Sequence, residues 1–71
     1  MATAPTEAEV YRKSVNWRET DDVDFPFEAE VDGMRWRLRL NDFPIEPLLT
    51  LFIDDREWGT FDDWPPSWVR P

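Results

Sequence analysis

The stretch that decides the fold is FPFEAEVDGMRWRLRL, residues 25–40. Phe25, Phe27, Ala29 and Val31 alternate with Pro26, Glu28, Glu30 and Asp32, and after Gly33 the alternation resumes as Met34, Trp36, Leu38 and Leu40 against Arg35, Arg37 and Arg39. A period of two sends successive side chains to opposite faces of a strand. Asp-Gly between two such runs is the strongest short-range hairpin signal, because a type I′ turn needs positive φ at both central residues. With Asp32 and Gly33 as the loop, Val31 faces Met34, Ala29 faces Trp36, Phe27 faces Leu38 and Phe25 faces Leu40. That register puts every apolar residue on one face and sets Glu30 opposite Arg35 and Glu28 opposite Arg37 on the other. Each such charge pair contributes roughly 0.2–1 kcal/mol. A slip of one residue would oppose apolar to charged side chains throughout, so the register is well specified. Pro26 has no N–H to donate, which marks residues 25–31 as an edge strand at that end.

C-terminal to this hairpin, residues 41–47 (NDFPIEP) hold two prolines and read as a loop. Residues 48–53 (LLTLFI) are an almost unbroken apolar run, the pattern of an interior strand. Asp54-Asp55 turns the chain, and residues 56–61, with Trp58 and Phe61, complete a second hairpin. Residues 53–58 (IDDREW) echo residues 31–36 (VDGMRW). Two occurrences are short of a repeat architecture, and we read them as two hairpins of one sheet. In the tail, residues 62–71 (DDWPPSWVRP), Trp64 and Pro65 each precede a proline, which favours extended backbone over helix. The expectation is that this tail folds back and inserts Trp64, Trp68 or both into a core of Phe27, Trp36, Leu38, Leu49, Leu51 and Ile53. On the N-terminal side, residues 1–8 (MATAPTEA) carry no apolar pattern and read as a disordered lead. In residues 9–19, Tyr11, Val15 and Trp17 favour a strand. Residues 19–22 (ETDD) form a charged connector. The fold class expected is mainly β: a single small antiparallel sheet of about four strands built from two hairpins, with a short C-terminal turn or tail packing on it. Residues 9–71 then form one small domain.

Composition narrows the chemistry. The chain has 71 residues, 8 basic against 16 acidic side chains, a net charge of −8, and neither His nor Cys. Disulfides, the usual zinc ligand sets and a histidine-activated nucleophile are therefore excluded. A sequence pI of about 4.2 argues against nucleic acid and anionic membrane as partners, since both need Lys and Arg to replace counterions. No apolar run reaches the length of a membrane span, and residues 1–8 lack the basic and apolar regions of a secretory signal, so a cytoplasmic location is expected. The acidic clusters at 21–24, 54–57 and 62–63 suit turns, and counting from Asp21 the sixth position of a calcium loop is Pro26 rather than Gly. No metal and no cofactor is expected. Paired carboxylates need a cleft to separate their pKa values before they can do acid–base work, so no enzyme is expected either.

What remains is surface. Removing the two Glu–Arg pairs concentrates the negative charge in residues 19–24 and 54–63, which we expect to form one acidic rim. The leading expectation is a small acidic protein-binding module, of the inhibitor or immunity type, covering a basic surface on its protein partner. Asp54, Asp55, Asp62 and Asp63 would steer the encounter and Trp64 and Trp68 would anchor it. The alternative is an accessory domain that docks through an exposed edge strand or the Trp-rich tail, with charge serving only solubility.

Overall fold

The computed structural model describes residues 4–71. They form one antiparallel sheet in simple meander order, β1 (Arg18–Glu19), β2 (Phe27–Val31), β3 (Met34–Leu40), β4 (Leu49–Ile53) and β5 (Arg56–Phe61), preceded by a single-turn-and-a-half helix α1 (Glu7–Arg12). The fold is mainly β as expected, with five strands rather than four.

The central hairpin has the expected register: Val31 pairs with Met34, Glu30 with Arg35, Ala29 with Trp36, Glu28 with Arg37 and Phe27 with Leu38. Asp32 and Gly33 both have positive φ, 51° and 78°. The ladder stops short of Phe25. Its ring packs edge-on to Phe52 at 5.1 Å and lies under the Arg37 guanidinium at 4.1 Å, so Phe25 belongs to the charged face of the sheet. A cation over its ring holds it there. Pro26 does not leave an edge, because β1 pairs Arg18 with Glu28 and Glu19 with Phe27 on that side. Proline is tolerated because its carbonyl, which accepts the Thr20 N–H at 2.9 Å, is the group used. The expected cross-strand ion pairs are exchanged for others: Glu28 pairs with Arg18 at 3.5 Å, and Arg37 pairs with Asp55.

The second hairpin turns at Asp54 and Asp55, φ 49° and 67°. β4 lies between β3 and β5, as its apolar run implied. β5 carries a bulge: Leu51 pairs with Gly59 and Phe52 with Glu57, leaving Trp58 as the extra residue. The bulge lets Trp58 join the core side, where it stacks on Phe61 with centroids 5.8 Å apart and donates its indole N–H to the Pro5 carbonyl at 3.0 Å.

Of the strand expected over residues 9–19 only Arg18–Glu19 forms, as β1; residues 9–12 are helix, and residues 6–8 of the lead expected to be disordered are the cap and first turn of α1. Met1, Ala2 and Thr3 lie outside the described residues. Thr6 is the N-cap of α1: its hydroxyl accepts the Glu9 N–H at 3.3 Å, and the Glu9 carboxylate accepts the Thr6 N–H at 3.2 Å. This reciprocal box satisfies two otherwise orphaned donors and outweighs the β-branched content of the segment. The same bonds, the Thr6 N–H first and its hydroxyl second, hold the Glu9 carboxyl below its ordinary value of about 4.5.

Both termini together cover one face of the sheet. The Val69 N–H donates to the Val15 carbonyl at 2.7 Å and the Trp17 N–H to the Val69 carbonyl at 3.1 Å, while the Ser67 hydroxyl donates to the Tyr11 carbonyl at 2.8 Å. Beneath this cover Val10, Val15, Trp17, Trp36, Leu38, Leu49, Leu51, Ile53, Phe61 and Trp68 are buried, and Phe27 and Trp64 pack against them from the side. Each fully buried side chain of this size contributes roughly 1.5–3 kcal/mol. Trp17 is the hub, 5.1 Å from Trp68 and 6.4 Å from Trp36. The indole N–H groups of these three find no hydrogen-bond acceptor among the described residues.

Candidate functional site

An antiparallel meander dictates which connections share an end of the sheet. Residues 20–26, residues 41–48 and the chain after β5 all leave from one end, here the loop end; the Asp32-Gly33 and Asp54-Asp55 turns lie at the other, the turn end. The acidic stretches expected to make one rim are therefore divided. Asp62 and Asp63 share the loop end with residues 19–24, and Asp54 and Asp55 stand a strand length away, about 15 Å at roughly 3.3 Å per residue.

At the turn end Asp32, Asp54 and Asp55 are engaged by the fold itself. Asp54 Oδ1 accepts the Arg35 N–H at 2.9 Å and the Asp54 N–H donates to the Arg35 carbonyl at 2.9 Å, which extends the β3–β4 ladder through a side chain. Asp55 pairs with Arg37, and Asp32 pairs with Lys13 at 2.6 Å. A concavity of about 490 Å³ also lies at this end, floored by Met34 and Ile53 and bounded by Trp58, Arg56 and Asp54.

The loop end is arranged differently. Its carboxylates are Glu19, Asp21, Asp22 and Asp24 beside β2, Asp42 and Glu46 in the central loop, and Asp62 and Asp63 after β5. Among the described residues none of them forms an ion pair; those present are Lys13–Asp32, Arg18–Glu28 and Arg37–Asp55. The loops are held by their own backbone. Asp22 Oδ1 accepts the N–H groups of Asp24 and Phe25 at 2.9 and 3.3 Å, and the Thr20 hydroxyl donates to the Phe25 carbonyl at 2.6 Å. Asn41 Nδ2 donates to the Pro47 carbonyl at 2.9 Å and to the Thr50 hydroxyl at 2.7 Å, closing the base of the central loop. These carboxylates are spread along the end; among the described residues no three acidic groups gather as a cation site requires.

Large apolar side chains stand exposed at the same end: Val23 (94%), Ile45 (86%), Phe43 (52%) and Leu40 (50%). Sequence reasoning passed over Phe43 and Ile45 by treating residues 41–47 as plain loop. The available signal was two apolar residues bracketing Pro44 with no alternating partner to bury them. Of the expected anchors, Trp68 is only 5% exposed and is core. Trp64 is half-buried, edge-on to Phe27 at 5.2 Å with the Arg70 guanidinium 5.4 Å above its ring. The structure thus brings Asp62, Asp63 and Trp64 together and sets Asp54 and Asp55 apart from them. No helix among the described residues is long and apolar enough to cross a membrane. Set against known proteins, the chain matches no protein family, no curated sequence and no solved structure.

Proposed function

We propose that this chain is a small acidic protein-binding module, of the inhibitor or immunity type, that covers a basic surface on its partner with the loop end of its sheet. The observation that carries this reading is the division of charge: ion pairs lie at the turn end and on the open sheet face, while among the described residues the loop-end carboxylates form none. An excess of like charge repels itself and destabilises the compact state, and a basic partner relieves that repulsion while being steered by the field. The module is non-catalytic in this reading. A domain of this size that holds together without disulfides suits the reducing cytoplasm.

The test is kinetic. With the partner identified by co-purification from the native host, Asp62→Lys with Asp63→Lys should slow association and leave dissociation nearly unchanged, since rim charges act on the encounter. Association that is equally fast at low and high salt would remove the loop end from recognition. One observation favours a second reading in that case: among the described residues β5 is an open edge of six residues with no strand beyond it, and Trp64 is half-buried in the tail. A partner strand could add there, although the bulge at Trp58 shortens the regular ladder it would meet.

A further inference from the structure

We infer that the loop end takes a basic amphipathic helix, with Phe43 and Ile45 as its apolar anchors. This rests on the acidic-module reading above and narrows the partner it names. Phe43 and Ile45 project from the central loop, and the carboxylates Asp42 and Glu46 flank them in the chain. The loop is pre-organised. Besides the Asn41 side-chain bonds, the Asn41 N–H donates to the Leu48 carbonyl at 3.0 Å, the Glu46 N–H to the Asp42 carbonyl at 2.8 Å, and the Asp42 N–H to Glu46 Oε1 at 3.1 Å. A loop fixed at its base and across its middle loses little freedom on binding. The acidic connections at 20–26 and 62–63 leave from strands on either side of it.

The chemistry of the occupant follows. A purely cationic chain would answer the carboxylates and leave Phe43 and Ile45 in water, and a purely apolar one would strip water from the carboxylates without pairing them. A segment with an apolar stripe between cations meets both needs. The end of a sheet offers no free ladder of N–H and C=O groups for an added strand, so contact is through side chains, and a helix presents such a stripe at i, i+3 and i+4.

The experiment titrates the full chain with two synthetic peptides of equal net charge, a Leu/Lys sequence patterned as an amphipathic helix and an oligolysine, at low and at physiological salt. The amphipathic peptide should bind at least about tenfold more tightly. The double variant Phe43→Ser, Ile45→Ser should lose that advantage and keep its oligolysine affinity, and circular dichroism verifies that it stays folded. Equal affinity for the two peptides, or an advantage that survives the double variant, overturns this inference while the acidic-module reading stands. Failure of both peptides to bind at low salt overturns both. Sedimentation of the free chain supplies the remaining arm: a dimer that Ile45→Ser dissolves would make a second copy the occupant and overturn the inference.

Discussion

The two hairpins share a sequence pattern and a turn geometry, yet they are held in different ways. In the first, Gly33 takes the φ of 78° at the second turn position, where glycine is unstrained, and the turn is tied to the rest of the chain by Lys13 through Asp32. In the second, Asp55 takes a φ of 67° that an L-residue with a Cβ resists. What offsets that strain comes from β3: Asp54 bonds the Arg35 backbone in both directions, and Asp55 pairs with Arg37. The first turn is therefore specified by its own residues and the second by the strand beside it. Acidic residues that look alike in sequence consequently do different work. Those of the second turn complete a ladder, and those of the loop end are left facing solvent.

The largest expected effect tests whether the hairpins are independent at all. Leu38 of the first and Leu51 of the second are cross-strand partners, both fully buried. Leu38→Ala and Leu51→Ala should each cost about 2–5 kcal/mol, a large share of the stability of a small domain. Because they share one core, either variant should unfold both hairpins together. Urea melts followed at the Gly33 amide and the Gly59 amide would coincide, and separated midpoints would show two units.

Exchanging the turns gives the next effect. A Cβ built on Gly33 meets nothing within 4 Å, so the penalty of substitution there is backbone conformation alone. Gly33→Asp should destabilise by about 1 kcal/mol and Gly33→Val by more, since a β-branched residue is least suited to positive φ. In the second turn Asp55→Gly relieves strain and loses an ion pair that is exposed on its Asp55 side, so it should shift stability by less than about 1 kcal/mol in either direction. A larger loss from Asp55→Gly than from Gly33→Asp would reverse the comparison. Asp54→Ala removes an acceptor from the Arg35 N–H and should cost about 0.5–1.5 kcal/mol, with most of it restored by Asp54→Asn. Denaturant midpoints at constant slope measure all of these.

The hairpins were legible in the sequence because their information is local: alternation gives the faces, and Asp-Gly gives the turn and thereby the register of every pair from Phe27–Leu38 to Val31–Met34. The buried set Trp36, Leu38, Leu49, Leu51 and Ile53 followed from the same pattern. What escaped depended on partners distant in the chain. Phe25 continues the alternation but is held on the opposite face by Arg37 and Phe52. β1 exists because two residues find the exposed side of β2, and nothing within Arg18-Glu19 announces it. The helix was legible in principle, as Thr6 and Glu9 stand at capping-box spacing, and was obscured by the β-branched and aromatic residues that follow. The candidate site was half legible. Its acidic content shows in composition, whereas the separation of Asp54 and Asp55 from Asp62 and Asp63 requires the strand directions.

The smallest effect separates the two turns by their supports. Lys13, which holds Asp32, follows directly on α1 and donates its own N–H to the Glu9 carbonyl at 3.0 Å, so the tether of the first turn depends on that helix. The second turn has no such link, being fastened to β3. Because the Thr6 bonds depress the Glu9 pKa in the folded chain, the charged carboxylate adds stability above the unfolded pKa, and this is lost as pH falls through the lower folded value. Glu9→Ala removes the contribution at neutral pH, while Glu9→Gln, which keeps an acceptor oxygen at the capping position, should retain part of it. In Glu9→Ala the amides of Val10 and Gly33 should exchange faster than in the parent chain, and the amides of Asp54 and Arg35 should not. The parent chain should approach the same pattern only on the acid side of the ordinary Glu9 value of about 4.5. Equal acceleration at both turns in Glu9→Ala would mean that α1 supports the sheet as a whole, and the contrast between a tethered first turn and a ladder-bound second turn would fail.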